Sequence, residues 1–183
     1  RAAFPAGYLA VQCSAVFGDD ATLDALAAQL ALSARESGLG IVLLRAGAAP
    51  WHDDLGVLQR LAQRLPAGTA RVAESLDLWD MCALLAGSTA VIASSLHGRI
   101  VAGAFALPRV SLQPEAAAQS VVKLDAWVQT WEPERAGSVV TPAGLADALA
   151  AALREPREAR AESARQLAAA CRAGYAALLA ALR

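Results

Sequence analysis

Lysine is almost missing from this chain of 183 residues: Lys123 is the only one, and arginine carries the rest of the positive charge. With a formal net charge of −1, no basic excess draws it to nucleic acid or to an anionic membrane. Cysteine is nearly as scarce. Cys13, Cys82 and Cys171 are odd in number and far apart, which excludes a disulfide framework and a metal spacing and fits a reducing compartment. Apolar residues make up 56% of the chain, yet no uninterrupted run reaches the roughly 20 residues of a spanning helix. Arg1–Gly7 reads as no secretory signal, because Pro5 and Gly7 interrupt it and no apolar stretch with a cleavage site follows. Arg1 in place of a methionine leads to the expectation that the chain continues a longer one. Three motifs are also missing. No G-x-G-x-x-G follows the first strand, no G-x-x-x-x-G-K-[ST] occurs, and there is no G-x-S-x-G elbow. Nicotinamide and flavin enzymes, P-loop nucleotidases and serine-elbow hydrolases are thereby disfavoured.

What is present is an alternation of short apolar runs with amphipathic segments. Tyr8–Val16 reads as a first strand, followed by a helix capped by Asp20 or Thr22 that runs to about Ser37 and stops at Gly38 and Gly40. Ile41–Leu44 is a continuous apolar strand, as expected when both faces of a sheet are covered. Trp51-His52-Asp53-Asp54 opens the next helix, and Pro66-Ala67-Gly68 ends it. Thr69–Val72, Thr89–Ala93 and Leu107–Leu112 are further strands, with Pro108 at the first residue of the last, and Leu78–Ala86 is a helix. Gln113–Ser120 is a long polar loop, Lys123–Trp131 a short helix and Ser138–Val140 a last strand. A helix with proline at its first position starts at Thr141-Pro142, and Glu158–Leu182 is a long terminal helix beyond Pro156. The pattern specifies an α/β fold, a doubly wound and mostly parallel Rossmann-like sheet of about six strands.

In such sheets functional groups gather at the carboxyl ends of the strands, which here carry Gln12 or Ser14, Arg45, Glu74, Ser94-Ser95-His97 and Gln113. The stretch Ala90–Ala102 organises the rest. A buried strand leads into Ser94 or Ser95 as helix cap, and the unpaired amides of the helix start suit an anion. His97, one of two histidines, stands in the first turn, where it is either a catalytic group or a capping and packing residue. Gly98 leaves room for a ligand or a neighbouring backbone. Arg99 either holds a phosphate or carboxylate by its fork or points away, two positions past His97. His52-Asp53-Asp54 is read as acid at a helix start rather than a metal cluster, with His52 a candidate substrate contact on the rim. The sole lysine, Lys123, is either solvated or a specifically required ammonium, and the spacing of Trp127 and Trp131 reads as a packing stripe.

Ser94-Ser95-Leu96-His97-Gly98-Arg99-Ile100-Val101-Ala102, then Ala106-Leu107-Pro108 and Lys123-Leu124-Asp125, resembles the bacterial polysaccharide pyruvyl transferase family. With Trp79-Asp80 and His52-Asp53-Asp54 the resemblance runs through about Glu132. It implies the C-terminal half of a GT-B-like enzyme whose cleft lies between two Rossmann-like halves. Residues 1–157 would form that domain, with 158–183 a helix packed on it or on a missing N-terminal half. The implied activity moves the pyruvyl group of phosphoenolpyruvate to sugar hydroxyls, forming a pyruvate ketal in exopolysaccharide biosynthesis. His97 falls on the family's catalytic histidine and Lys123 on the lysine after the loop. Ser94, Ser95, Gly98, Arg99, Lys123 and Arg45 would bind phosphoenolpyruvate, while His52, Glu74 and Gln12 would be substrate contacts. The resemblance implies no metal or organic cofactor, a saccharide or lipid-linked oligosaccharide acceptor, and a cytoplasmic location at the inner face of the membrane. Two residues depart from the family pattern: Ser95 stands where many relatives carry arginine, and Ala106 replaces a usual glycine. The alternatives are a GT-B nucleotide-sugar-binding domain and a non-catalytic Rossmann-like binding domain. Against the former, Glu115 is followed eight residues on by Lys123 rather than by a second glutamate.

Overall fold

The computed structural model describes residues 3–47, 49, 52–115 and 121–182. Trp51, at the expected helix opening, and the loop residues Ala116–Ser120 lie outside the described residues. Six strands form one sheet: β1 (Tyr8–Gln12), β2 (Gly40–Leu43), β3 (Ala70–Val72), β4 (Ala90–Ala93), β5 (Arg109–Leu112) and β6 (Val139–Val140). Their order is β3-β2-β1-β4-β5-β6, and every pairing is parallel. The helices are α1 (Asp20–Ser37), α2 (Leu55–Arg64), α3 (Leu78–Ala86), α4 (Leu96–Ala104), α5 (Val121–Trp131), α6 (Leu145–Arg154) and α7 (Arg157–Ala181). This is a doubly wound Rossmann-like α/β domain with a long C-terminal helix.

The two-residue period of the strands divides the core. Leu9 and Val11 of β1, Ile41 and Leu43 of β2 and Ile92 of β4 pack with the apolar stripes of α1, α2 and α6. Tyr8, Ala10, Val42, Val91 and Ala93 turn the other way, toward Leu85 of α3 and Ala102 of α4. Gln12 continues the second set, so at the end of β1 it points to the α3–α4 side. The Tyr8 hydroxyl donates to the Leu84 carbonyl at 2.7 Å, fastening α3 to the same face.

Element ends follow local chemistry. Asp19 caps α1 by accepting from the Thr22 amide at 2.8 Å, and Gly38 closes it at φ 70°. The cap is therefore one residue earlier than the sequence suggested. β1 stops at Gln12 rather than running to Val16, because the next amides are drawn elsewhere. Ser14 N–H donates to Ser94 Oγ at 2.9 Å, Ala15 N–H donates to the His52 carbonyl at 2.8 Å, and Ala15–Phe17 coils into a 3-10 turn. Similarly α2 starts at Leu55, since Asp54 is its cap and accepts from Gly56 N–H at 2.7 Å. His52 and Asp53 thus belong to the preceding loop. Pro108 precedes β5, and its carbonyl accepts from the Val91 amide at 2.9 Å. Pro142 opens a single 3-10 turn before α6.

Ala106, at the departure from the family glycine, has φ 54°, the left-handed conformation that glycine adopts most readily. Its carbonyl accepts from Arg160 Nε at 3.0 Å, anchoring the first turn of α7. Further along, α7 exposes Tyr175, Leu178 and Leu179. Among the described residues no helix is long and apolar enough to cross a membrane.

Candidate functional site

The strand order reverses between β1 and β4, whose connections leave toward opposite faces. A crevice at that point, outside the carboxyl ends, is where open α/β sheets bind ligands. Here it is built by Gln12, Ser14, Ser94 and Ser95. Ser94 N–H donates to the Gln12 carbonyl at 3.0 Å. Ser95 N–H donates to Gln12 Oε1 at 2.9 Å, and Ser94 Oγ lies 3.4 Å from the same oxygen. The two strand tips are clamped by side chain and backbone together.

This clamp alters the expected role of the serines. Ser95 occupies the cap position of α4, but its hydroxyl makes no capping bond, and its amide, expected to bind phosphate, is already taken by Gln12. The next three amides, of Leu96, His97 and Gly98, have no carbonyl partner inside α4, and the positive end of the helix dipole lies there. His97 is exposed in this first turn. Behind it lies a cavity of about 70 Å³ lined by residues that include Gln12, Arg45, Met81, Cys82, His97 and Gly98.

Gly98 does not hold open space for a ligand. A Cβ built there would stand 2.8 Å from Ala93 Cβ, so the glycine lets α4 lie close against β4. Gly98→Ala is expected to destabilise the domain by about 1–3 kcal/mol through overpacking. Urea denaturation checks this, and an unchanged midpoint would remove the close-packing explanation.

Arg99 is turned into the protein, away from the rim. It is 1% exposed, with Nη2 donating to Glu132 Oε2 at 2.8 Å and to Ser138 Oγ at 2.8 Å. Nη1 donates to Ser111 Oγ at 3.0 Å and Nε to Glu132 Oε1 at 3.3 Å. Every guanidinium nitrogen is thus engaged, and none is left for the expected phosphate contact. Burial lowers the guanidinium's pKa below its ordinary value, with the charge of Glu132 opposing the shift. Arg109 grips the same carboxylate, donating from Nη2 at 2.7 Å and Nε at 3.0 Å, and Trp127 Nε1 donates to Oε1 at 2.9 Å. Sequence reasoning missed Glu132 and Arg109. Their only signal was charge at the edge of apolar segments.

The other candidates are dispersed around the rim. Arg45 lines the cavity, and its Nη2 donates to the Glu74 carbonyl at 2.7 Å. The Glu74 side chain is exposed and enters through its backbone alone. His52 is exposed, its Nδ1 lying 3.4 Å from Oδ2 of the largely buried Asp53. Lys123 is exposed on α5 and is not among the cavity's lining residues. The rings of Trp127 and Trp131 lie 5.8 Å apart between centroids, tilted by 35° to one another. Among the described residues no three of His, Cys, Asp and Glu are gathered to hold a metal. Burial pushes the Cys13 thiol up to about 12, leaving it protonated and unreactive at neutral pH.

No family model matches the chain, and no curated protein matches its sequence. Solved structures do match. The UDP-GlcNAc 2-epimerase of Methanocaldococcus jannaschii, crystallised with UDP-GlcNAc and UDP, superposes with a TM-score of 0.57 at 11% identity, over 82% of this chain and 39% of its own. An O-GlcNAc transferase mutant of Thermobaculum terrenum gives 0.57 at 15% identity, over 88% and 32%. The glycosyltransferase SnogD of Streptomyces nogalater gives 0.55 at 20% identity, over 94% and 44%. The chain therefore spans less than half the length of each of these proteins, and within that length it has a GT-B-like α/β fold.

Proposed function

We propose that this chain is the donor-binding half of a GT-B-type transferase acting on sugars, and that it transfers the pyruvyl group of phosphoenolpyruvate. One observation carries the reading. The segment that resembles the polysaccharide pyruvyl transferases, Ser94–Ala102, falls at the switch between β1 and β4, with exposed His97 beside a cavity of about 70 Å³. That volume suits a group of a few atoms. Sites that enclose whole drug-sized ligands measure roughly 300–1,000 Å³.

The chemistry is a proton transfer followed by two additions. C3 of the enol phosphate takes a proton, leaving C2 an oxocarbenium-like centre, and a sugar hydroxyl adds to C2 while losing its own proton. The C2–O bond to phosphate then breaks, inorganic phosphate departs, and a second hydroxyl closes the ketal with loss of its proton. His97 in its protonated form would supply the first proton, and in its neutral form would accept one from a hydroxyl. The free amides of Leu96, His97 and Gly98 offer fixed donors for the departing phosphate. Arg45, in the cavity lining, would supply a cation for the anionic donor, since Arg99 is committed inside the protein. The scheme calls for no metal or organic cofactor. The acceptor would be a saccharide or a lipid-linked oligosaccharide, approached from the part of the enzyme that this chain does not span.

A second reading, a nucleotide-sugar transferase domain, is favoured by one specific observation: a structural neighbour was crystallised with UDP-GlcNAc and UDP. Thermal unfolding of the chain with phosphoenolpyruvate, orthophosphate or UDP separates the two. A ligand at 100 times its dissociation constant stabilises by about 2.7 kcal/mol. A shift with phosphoenolpyruvate and none with UDP is expected. A shift with UDP alone would replace pyruvyl transfer by the nucleotide-sugar reading.

A further inference from the structure

Four buried side-chain atoms have no hydrogen-bond partner among the described residues: Gln12 Nε2, Arg45 Nε, Asp53 Oδ1 and Gln113 Oε1. All four lie at the carboxyl rim of the sheet, at the end of β1, in the β2–α2 connection or just after β5. Buried polar groups left alone are costly, so orphans gathered on one rim mark where something else completes the bonding. Two of them, Gln12 Nε2 and Arg45 Nε, belong to residues that line the same cavity, together with His97.

The orientation of the Gln12 amide is fixed by its neighbours. Gln12 is 2% exposed, and Ser95 N–H, which can only donate, holds Oε1 at 2.9 Å. Ser94 Oγ already accepts from Ser14 N–H, so its own proton is free for the same Oε1. Nε2 is therefore the atom left over, a donor without an acceptor. Arg45 Nε is a second such donor and carries positive charge. Among the described residues no aspartate or glutamate lines the cavity, while Leu44, Leu78, Met81, Leu85 and Val101 do. The ligand this lining selects is small, presents anionic oxygens to donors on one side, and is apolar elsewhere.

We propose that the cavity is a notch for the carboxylate end of a three-carbon acid, held by Gln12 Nε2 and Arg45. It rests on the pyruvyl-transfer reading for the identity of that acid as phosphoenolpyruvate. The carboxylate enters the notch, the methylene faces the apolar wall, and the phosphate stays outside at the free amides of α4. Gln12 is then the residue that distinguishes a carboxylate-bearing donor from a bare phosphate.

The test is calorimetric titration of the chain with pyruvate, phosphoenolpyruvate and orthophosphate, in the wild type, Gln12→Glu and Arg45→Gln. In Gln12→Glu the new carboxylate still accepts from Ser95 N–H, but an oxygen that repels a bound acid replaces the Nε2 donor. Pyruvate and phosphoenolpyruvate are expected to bind the wild type and to weaken at least tenfold in both variants. Orthophosphate is expected to be indifferent to Gln12→Glu. Melting of the unliganded proteins establishes that each variant is folded, and Arg45→Gln decides alone if Gln12→Glu is not. Equal phosphoenolpyruvate affinity in wild type and folded variants overturns the notch and leaves pyruvyl transfer standing. Gln12-dependent binding of pyruvate without any binding of phosphoenolpyruvate keeps the notch and removes pyruvyl transfer. Gln12-dependent binding of orthophosphate, or no binding of pyruvate to the wild type, overturns the proposal.

Discussion

Glu132→Ala is expected to destabilise the domain by about 3–5 kcal/mol, the largest effect on stability of any substitution considered. The carboxylate is 1% exposed and lies between two guanidiniums that are themselves buried, those of Arg99 and Arg109. Removing it strands two positive charges away from water, whereas removing either arginine alone leaves the other ion pair intact. The network also ties distant parts together. Glu132 follows α5, Arg99 sits on α4, Arg109 starts β5, and Ser138 precedes β6. A pH dependence follows. Burial works to raise the Glu132 pKa, but Arg99 and Arg109 outweigh it and hold the carboxyl below its ordinary value. A group depressed in the folded state gives its full stabilisation above the unfolded glutamate pKa, about 4.3, and loses it as pH falls through the folded value. Urea denaturation from pH 7 down to pH 3 is expected to show this acid loss in the wild type and a smaller one in Glu132→Gln, which starts less stable. A Glu132→Ala protein within about 0.5 kcal/mol of wild type would mean that the buried arginines find other partners.

His97→Ala has the largest expected effect on activity. On the pyruvyl-transfer proposal, ketal formation is expected to fall about 10²–10⁴-fold, the usual contribution of a positioned acid or base. Stability should move by less than about 0.5 kcal/mol, because the imidazole is exposed and no hydrogen bond of the clamp depends on it. The pairing of large kinetic and negligible stability effects separates a chemical role from a capping one. Turnover at the wild-type level in the alanine variant would take His97 out of the mechanism and move attention to His52.

Much of the fold was legible because its punctuation is local. Gly38 and Gly40 bracket the turn into β2, the run Ala90–Ala93 is apolar on both faces, and Leu78–Ala86 has its stop in Gly87. The end of β1 was not legible, because Ala15-Val16-Phe17 continues the apolar pattern and is turned aside only by bonds to His52 and Ser94. Arg99 shows the same limit at the site. Two helical residues past His97 place it about 200° round the helix, so its divergence was foreseeable. Its partner Glu132, 33 residues on, was not. Gln12 could be read as a rim residue from its strand, but its unpaired nitrogen exists only because Ser95, 83 residues away, occupies the oxygen.

The clamp between β1 and β4 has a consequence for hydrogen exchange. Ser14 N–H and Ser95 N–H are held by side chains reached across 80 and 83 residues of chain, outside any local turn. Neither amide is released by fraying of one helix or loop, since both bonds persist for as long as the central strand pair does. Deuterium should therefore enter these loop amides as slowly as it enters the middle of β1, at the rate of global opening. The carboxyl rim at the β1–β4 switch would then be among the last parts of the domain to loosen.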